Sequence, residues 1–368
     1  APGHLAPRRT GAGWLLSKSG WVEHEPYGVI GAITPWNYPF IIAMDCVTPA
    51  LFAGNAVVIK PSEFTPVTTL LIPDLCDQAG IPRGLVQVVT GDGSTGRALI
   101  QGGVDRVVFT GSTATGRKVM ETASATLTPV TLELGGKDAA IVLEDADLDR
   151  AARGIVFGGF FNAGQTCISV ERVFVVRSVY DSFVERVVSA TRELRAGSDD
   201  QADVGPVITA QQFDIVGGHV RDALARGARA LTGGAPTGSG RVFPPTVLVD
   251  VDDSMAVMRD ETFGPVLPIT PVDDEDEAVA KANATGYGLF ASVWTGDRRR
   301  GVRVARRLRA GGVSVNDVLS HYSVPHLPVG GVGESGFGRR RGLEALDEMT
   351  RTRTLLVDRA GLRREPFW

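Results

Sequence analysis

A cysteine and a glutamate stand out as side chains that can do covalent chemistry together. Cys167 ends the run FNAGQTC, and Glu133 lies in the run LELGGK. A thiolate attacks carbonyl carbons, and a carboxylate can activate the water that releases the acyl product. The pair therefore indicates chemistry on an aldehyde or an ester. Taken alone, Cys167 is more readily read as a small buried hydrophobe. Glu133 ends an apolar strand, where a carboxylate is costly unless it is used or paired.

Polar side chains follow the first two predicted strands. Asn37, in the run WNYP, can donate its side-chain amide to a developing oxyanion or can simply satisfy its own turn. Lys60 and Glu63 bracket the run KPSE, where an acidic residue can accept from ribose hydroxyls. A charged pair in a solvated loop is the alternative interpretation of Lys60 and Glu63.

Two glycine-rich turns precede predicted helices. The run GSTATG at 111–116 offers helix amides that can hold a pyrophosphate, or else Ser112 is an ordinary N-cap. The run GDGSTG at 91–96 matches the dinucleotide fingerprint but follows the third strand of its unit, not the first. It is therefore either a phosphate-binding turn or a common tight turn.

Composition narrows the class of protein. The 368 residues suffice for two or more domains, and 43% hydrophobic with 22% charged residues exclude global disorder. A formal net charge of −4 gives no sign of a nucleic-acid or membrane partner. Three cysteines argue against a disulfide framework and for a reducing, cytoplasmic location. The five histidines do not pair at ligand spacing, so no metal site is predicted.

Strands and helices alternate along most of the chain, which predicts parallel sheets with crossover helices. Predicted strands cover 29–34, 56–60, 85–90, 106–110, 129–133, 172–176, 247–251, 266–271 and 291–295. Predicted helices cover 40–53, 65–79, 145–163, 179–194, 210–226, 274–284 and 298–308, and the second of these is broken near Pro73. Isolated strands at 13–22 and 352–357 resemble arms that another subunit completes.

Six motifs in order carry a family resemblance. They are TPWNYP at 34–39, KPSE at 60–63, FTGSTATG at 109–116, LELGGK at 132–137, GQTC at 164–167 and ETFGP at 261–265. This series resembles that of the NAD(P)-dependent aldehyde dehydrogenase superfamily, from about residue 10 to about residue 357. The resemblance implies an α/β fold with two doubly wound domains and a small β oligomerisation arm.

The resemblance implies a catalytic role for three residues. Cys167 would attack the aldehyde to give a thiohemiacetal, with Asn37 and the Cys167 backbone N–H holding the oxyanion. After hydride transfer to NAD, or to NADP as the second choice, Glu133 would activate water to hydrolyse the thioester. An anionic Glu63 favours NAD because it would repel a 2′-phosphate, an effect that Lys60 partly offsets.

The resemblance also assigns the residues around the cofactor and the substrate. Those implied to bind the cofactor are Lys60, Glu63, Gly111, Ser112, Gly116, Trp36, Glu261, Phe263 and Leu134. Those expected to line the substrate pocket are Tyr38, Ile42, Asp45, Thr166, Ile168, Tyr322 and Val329. The lining is mostly apolar or aromatic and suits a medium aliphatic or aromatic aldehyde. Asp45 either favours an amino-aldehyde or is a solvated helix residue.

Family architecture implies five segments and an oligomer. They are the arm at 1–26 with 350–358, a dinucleotide-binding domain at 27–134, a catalytic domain at 135–334, a return helix at 335–349 and a tail at 359–368. A homodimer or homotetramer is expected. The chain departs from its relatives in three ways: an expected lack of their N-terminal segment, Val329 in place of a phenylalanine, and Arg340 in place of a glutamate.

Three other functions compete with the hydrolytic dehydrogenase. A CoA-acylating relative would pass the thioester to CoA, but such enzymes often lack the glutamate base that Glu133 would supply. A non-catalytic relative would fit a missing N-terminal segment, whereas the presence of Cys167, Glu133, Asn37 and Glu261 argues against it. A Cys–His hydrolase is disfavoured because no histidine has a family-specific context beside Cys167.

Overall fold

The computed structural model describes residues 3–11, 18–237 and 240–358. The predicted tail at 359–368 and residues 13–17 of the first predicted arm lie outside the described residues. The chain divides into two compact units. The first takes in Ala1–Thr110, Arg117–Thr131 and Gly338–Trp368, and the second takes in Gly111–Gly116 and Leu132–Phe337. The five-segment domain division stays a prediction.

The described residues form strands and α-helices that alternate along the chain. The strands are β1 (Arg8–Thr10), β2 (Lys18–Pro26), β3 (Val29–Ile33), β4 (Ala56–Lys60), β5 (Val86–Val88), β6 (Arg106–Thr110), β7 (Val130–Glu133), β8 (Ala139–Val142), β9 (Arg172–Val176), β10 (Arg229–Thr232), β11 (Thr246–Val249), β12 (Val266–Val272), β13 (Phe290–Trp294), β14 (Gly312–Val315), β15 (Gly336–Phe337) and β16 (Thr350–Asp358). The helices are α1 (Ile41–Phe52), α2 (Pro66–Leu70), α3 (Ile72–Gln78), α4 (Gly93–Gln101), α5 (Thr113–Ser124), α6 (Leu148–Phe160), α7 (Tyr180–Arg192), α8 (Ala210–Ala225), α9 (Ala256–Arg259), α10 (Glu275–Ala282), α11 (Arg298–Ala305) and α12 (Glu344–Glu348).

A parallel sheet forms the core of the first unit. Its strand order is β6-β3-β4-β5, so β3, which comes earliest in the chain among these four strands, has β4 on one side and β6 on the other. The crevice beyond the carboxyl ends of such neighbouring strands is where doubly wound folds bind ligands. The turn after β3 and the end of β4 share this edge, because the Thr34 N–H donates to the Lys60 carbonyl at 3.1 Å. The fold therefore brings the 34–39 and 60–63 motifs together.

One prediction about local structure in the first unit is confirmed, and a second is confirmed only in part. The predicted helix at 65–79 is broken into α2 and α3, which meet at Leu71. Pro66 and Pro73 each stand in the first turn of their helix, where a missing N–H costs nothing. Strands are also present near both predicted arms, but they are not isolated as predicted, because β16 lies antiparallel to β2 over nine residues and β1 adds a third strand to this sheet. Its role in oligomerisation stays a prediction.

The second unit is built on a sheet of order β10-β11-β12-β9-β8-β13-β14, in which only β10 is antiparallel among the described strands. Successive residues of the central strands belong to different cores. Ala139 and Ile141 pack with α8, α10 and α11, whereas Ala140 and Val142 pack with α6 and α7. Strands that are buried on both faces in this way are typical of a doubly wound sheet. The predicted α/β fold is confirmed.

Three strands of this second sheet, β8, β10 and β14, were not predicted from the sequence. Each is only four residues long, and β8 is an unbroken apolar run without the alternation that identifies a half-buried strand. The segment 335–349 also differs from a single return helix, since it contains β15 and only the five-residue helix α12. Within the described part of the chain, no helix has the length and hydropathy needed to span a membrane.

Candidate functional site

A strained turn presents Cys167 in the second unit. Asn162, Ala163 and Gly164, which follow helix α6, have φ angles of 52°, 55° and 70°. Gly164 adopts this left-handed conformation freely, but at Asn162 and Ala163 it is costly and persists only where the surroundings impose it. Here Gln165 ties the turn down: its Nε2 donates to the Asn162 carbonyl at 3.0 Å, and its Oε1 accepts from the Ile208 N–H at 3.0 Å. The nucleophile candidate is thus held by a rigid segment.

The half-buried Cys167 packs beside an apolar cluster. Ile168, Leu289 and Phe290 form the cluster, and Tyr322 packs against it. Two predicted pocket residues, Ile168 and Tyr322, therefore belong to the same apolar cluster as Cys167. The predicted pocket residues Thr166 and Val329 are each 7% exposed.

The motifs around Glu133 and Cys167 are brought together within the second unit. A Cβ atom at Gly136 would lie 2.9 Å from the Cys167 carbonyl oxygen, so only a glycine allows this approach. Glu133 lies at the end of β7, is 3% exposed, and pairs through its backbone with Gly336 of β15. A candidate nucleophile and a buried carboxylate thus belong to neighbouring segments of the second unit.

The glycine turn at 111–116 lies beside Glu133. The Gly111 N–H donates to the Glu133 carbonyl at 3.1 Å. The Ser112 hydroxyl accepts from the Thr115 N–H at 3.3 Å, so the N-cap interpretation of Ser112 holds. Gly116 faces Leu134, whose methyl groups a Cβ atom would strike. Two residues expected at the cofactor, Gly116 and Leu134, are therefore in direct contact.

The half-buried Glu261 packs against the glycine pair of the LELGGK motif. Its Oε1 accepts from the Gly136 N–H at 2.9 Å, and a Cβ atom at Gly135 would overlap its carboxylate. Burial, reinforced by the charge of Glu171, raises the pKa of Glu261 to about 8. Phe263, two residues on, has a φ of 48°. The motifs at 132–137 and 261–265 are therefore neighbours.

A buried ion pair next to these motifs was not predicted from the sequence. Lys137 Nζ lies 2.6 Å from Glu171 Oε2, and the side chains are 0% and 4% exposed. The only signal in the sequence is a charged residue, Glu171, at the start of an apolar strand. Among the described residues, no cluster of histidine, cysteine and carboxylate side chains fits a metal ion.

In the first unit, the predicted cofactor residues lie at the carboxyl edge of the sheet. Trp36, Asn37 and Tyr38 are half-buried in the turn after β3. The Lys60 ammonium donates to the Gly91 carbonyl at 2.9 Å and lies 3.6 Å from Glu63 Oε2. Glu63 itself is 46% exposed at its side chain. The Glu63 carboxylate is therefore accessible to solvent beside the carboxyl end of β4.

The turn at 91–96 has an internal anionic cap. Asp92 accepts from the Ser94 N–H at 2.8 Å and from the Ser94 hydroxyl at 2.6 Å, at the start of α4. These bonds hold the pKa of the Asp92 carboxyl below its usual range. A carboxylate already occupies the place where a phosphate would bind the helix N-terminus. The geometry favours the tight-turn interpretation.

Asp45 is bound by a guanidinium of its own unit. Arg341 Nε lies 3.1 Å from both carboxylate oxygens, and the Asp45 side chain is 14% exposed. The solvated-residue interpretation is therefore wrong. The amino-aldehyde hypothesis also loses its basis, since the charge of Asp45 is compensated within the protein. Ile42, on the same helix α1, is 3% exposed.

A family model described as the aldehyde dehydrogenase family matches residues 9–355. The chain belongs to the aldehyde dehydrogenase family. A 4,4'-diapolycopene aldehyde oxidase of Methylomonas sp is 45% identical over 347 residues, which cover 94% of this chain and 65% of that protein. A Mycolicibacterium smegmatis protein named "Putative succinate-semialdehyde dehydrogenase [NADP(+)]" is 43% identical, over 92% of this chain and 66% of that one.

Solved aldehyde dehydrogenase structures have the same fold. An NAD-dependent aldehyde dehydrogenase from Sinorhizobium meliloti superposes with a TM-score of 0.94 at 39% identity, over 99% of this chain and 72% of that one. A betaine aldehyde dehydrogenase from Staphylococcus aureus, solved with NAD+, gives 0.93 at 33% identity over 98% and 73%. The chain spans just under two thirds of the length of the curated relatives it matches.

Proposed function

We propose that the protein oxidises an aldehyde to a carboxylic acid with NAD or NADP, through a covalent intermediate on Cys167. The observation that carries this proposal is the packing of the Cys167 backbone against Gly136 in the motif that contains Glu133. It supports a nucleophile and a base that act on the same bound group. Relatives named as NAD- and NADP-dependent aldehyde enzymes support the same reaction class.

The chemistry begins with the Cys167 thiolate. It attacks the aldehyde carbon, the C=O π electrons move to oxygen, and a thiohemiacetal results. Bound NAD(P) supplies the acceptor for the hydride that leaves this carbon. The resulting thioester on Cys167 is then attacked by water, whose proton passes to Glu133. Collapse of this second tetrahedral species expels the thiolate and releases the acid.

The residues present fit a dinucleotide. Glu63 and Glu261 supply carboxylates of the kind that accept from ribose hydroxyls, and α5 offers a helix N-terminus to a pyrophosphate. Gly135 has no side chain, which leaves the Glu261 carboxylate room beside the backbone. We assign Lys60 and Glu63 to the adenosine ribose, and Glu261 with Phe263 to the nicotinamide end. Asn37 as the oxyanion donor and Trp36 as part of the cleft stay predictions.

The proposal includes a homodimer or homotetramer in the cytoplasm. β16 has β2 as its only neighbour among the described strands, and its side chains after Thr350 are exposed. The outer edge of a strand at the border of a sheet can pair with a strand of another chain. None of the three cysteines, all of which lie in the described part of the chain, forms a disulfide, which is consistent with a reducing compartment. Multi-angle light scattering of the full chain tests the oligomer.

The main experiment measures NADH and NADPH formation on a panel of aldehydes by wild type, Cys167→Ala and Cys76→Ala. Cys76 is the control because it is a cysteine outside the candidate site, 8% exposed, on α3. Hydrolysis of an activated ester is followed in parallel, since it needs the thiol but no hydride acceptor. We expect Cys167→Ala to abolish both activities and Cys76→Ala to keep both.

Two results would decide against the proposal. Equal activity of Cys167→Ala and wild type would show that Cys167 is not the nucleophile. Acid formation only when CoA is added, with acyl-CoA as the product, would favour the CoA-acylating alternative. Glu133 speaks against that alternative because it supplies the base that hydrolysis needs and CoA transfer does not.

A further inference from the structure

The buried pair of Lys137 and Glu171 has no part in the chemistry described above. Taking two ions out of water is costly, and their attraction offsets this cost only when the remaining donors and acceptors are also satisfied. An apolar pair of side chains would fill the same space at a lower desolvation cost. The ion pair therefore indicates that the hydrogen bonds it makes have a role. The hydrogen bonds made by the pair show which geometry it fixes.

The Glu171 carboxylate binds the backbone of the ETFGP motif. Its Oε2 accepts from the Thr262 N–H and its Oε1 from the Phe263 N–H, each at 2.8 Å. Lys137 Nζ donates to the Thr262 hydroxyl at 3.1 Å, and His219 Nδ1 lies 3.1 Å from that same hydroxyl. Two consecutive amides and one side chain are thus held by a single ion pair.

The backbone held in this way is unusual. Phe263 has a φ of 48°, a left-handed conformation that is costly for a bulky residue. Charge-assisted hydrogen bonds to its own N–H and to the preceding N–H offset that cost. Gln212 holds the other side of the segment by donating its Nε2 to the Thr262 carbonyl at 2.8 Å. Glu171 therefore stabilises the conformation that sets the direction of the Phe263 side chain.

The same pair adjoins Glu261. Glu261 precedes Thr262, and its Oε1 accepts from the N–H of Gly136, the residue before Lys137. The ion pair therefore connects the segment that carries Glu261 with the segment that carries its hydrogen-bond donor, Gly136. The charge of Glu171 raises the pKa of Glu261 and that of Lys137 lowers it. The effect of Glu171 on the pKa of Glu261 is the larger of the two.

We propose that Glu171, neutralised by Lys137, is a positioning residue that holds Glu261 and Phe263 in place for the nicotinamide end of the cofactor. This inference rests on the proposed function, since it assumes that Glu261 and Phe263 bind NAD(P). Glu171 reaches the cofactor only through the backbone of Thr262 and Phe263. Its loss should weaken cofactor binding rather than the affinity for the aldehyde.

The experiment compares Glu171→Gln, the double variant Glu171→Gln/Lys137→Met, and Asp145→Asn. The double variant removes both charges, so it leaves no unpaired ammonium if the single variant fails to fold. Asp145 is the matched control, because it too accepts from a backbone N–H, that of Asp297 at 3.0 Å, and from the Thr295 hydroxyl at 2.8 Å. Each protein is checked for folding by near-UV circular dichroism.

Two readouts follow. Hydrogen exchange of the Thr262 and Phe263 amides, measured without cofactor, should accelerate by about tenfold or more when their charged acceptor is lost. The dissociation constant for NADH and the KM for NAD should rise by roughly tenfold, with the aldehyde KM unchanged. Asp145→Asn should alter neither readout.

The outcomes separate this inference from the proposed function. Wild-type exchange rates and NADH affinity in the folded double variant would overturn the positioning role of Glu171. A fall in thermal stability with unchanged NADH affinity would also overturn it, leaving a purely structural pair. If wild type itself binds no NADH, or if Cys167→Ala keeps full activity, the proposed function fails first and takes the inference with it.

Discussion

The backbone of Gly164 packs against the Gly264 carbonyl so closely that a Cβ atom at position 164 would overlap that group. Gly164 also has a φ of 70°, which glycine adopts at no steric cost. The turn that presents Cys167 is thus fixed by contact with the segment that carries Phe263. Any side chain at position 164 must displace one of these two segments.

We therefore expect Gly164→Ala to destabilise the protein and to impair the chemistry of Cys167. The left-handed conformation alone costs an alanine about 1–3 kcal/mol, to which the overlap adds. Urea unfolding measures the free energy of unfolding, and ester hydrolysis reports on the thiol. Gly218→Ala is the control: Gly218 lies within α8 with nothing within 4 Å of its Cβ position, so it should gain roughly 0.5–1 kcal/mol. Wild-type stability of Gly164→Ala would contradict the argument.

Glu133→Gln should trap the acyl-enzyme. If Glu133 accepts the proton of the attacking water, its loss slows hydrolysis by roughly 10²–10⁴-fold while leaving thioester formation intact. Intact-protein mass spectrometry should then show the acyl adduct, and NADH should appear as a burst of one equivalent. Glu121→Gln, on the exposed surface of α5, is the control. Slow turnover without an adduct would place the role of Glu133 before the thioester.

Glu63 should set the choice between NAD and NADP. Its side chain is 46% exposed and lies 3.6 Å from the Lys60 ammonium, so a 2′-phosphate nearby meets one charge of each sign. Glu63→Gln removes the repulsive charge and should raise the ratio of kcat/KM for NADP over NAD roughly tenfold. Asp74→Asn, an exposed change on α3, should leave the ratio unchanged. An unaltered ratio in Glu63→Gln would remove Glu63 from the ribose site.

The stability of the protein should depend on pH through Glu261. Burial raises the pKa of Glu261 from 4.5 to about 8 in the folded protein. Between these two values the folded state binds the proton and the unfolded state does not. The unfolding free energy of wild type should therefore fall as pH rises from about 4.5 to about 8, relative to Glu261→Gln, and level off above. Parallel curves for the two proteins, from urea titrations across this range, would show that Glu261 does not titrate there.

Asp45→Asn should cost stability without changing substrate preference. The Arg341 Nε–H is shared between both oxygens of Asp45, whose side chain is 14% exposed, so loss of this carboxylate should cost about 1.5–3 kcal/mol. A double-mutant cycle with Arg341→Gln measures the coupling directly. The relative rates for cationic and neutral aldehydes should equal those of wild type. A selective loss of cationic substrates would revive Asp45 as a substrate-binding group.

Much of the fold was readable from local patterns. β4 lies where predicted because an apolar, β-branched run ends at a lysine and a proline. Pro73 made the break between α2 and α3 predictable, since proline lacks the N–H that a helix interior needs. β8 escaped detection because a four-residue apolar run has no period that distinguishes a strand from a buried helix.

The candidate site divides in the same way. Residue types and their order predict which side chains can react, because Cys167 and Glu133 lie in short motifs typical of thiol and carboxylate chemistry. How the charges are compensated could be seen in the folded structure but not in the sequence. Glu171 is 34 residues from Lys137, and Asp45 is 296 residues from Arg341. Ion pairs act through distance in space, and no local pattern records which distant segment folding will bring within reach.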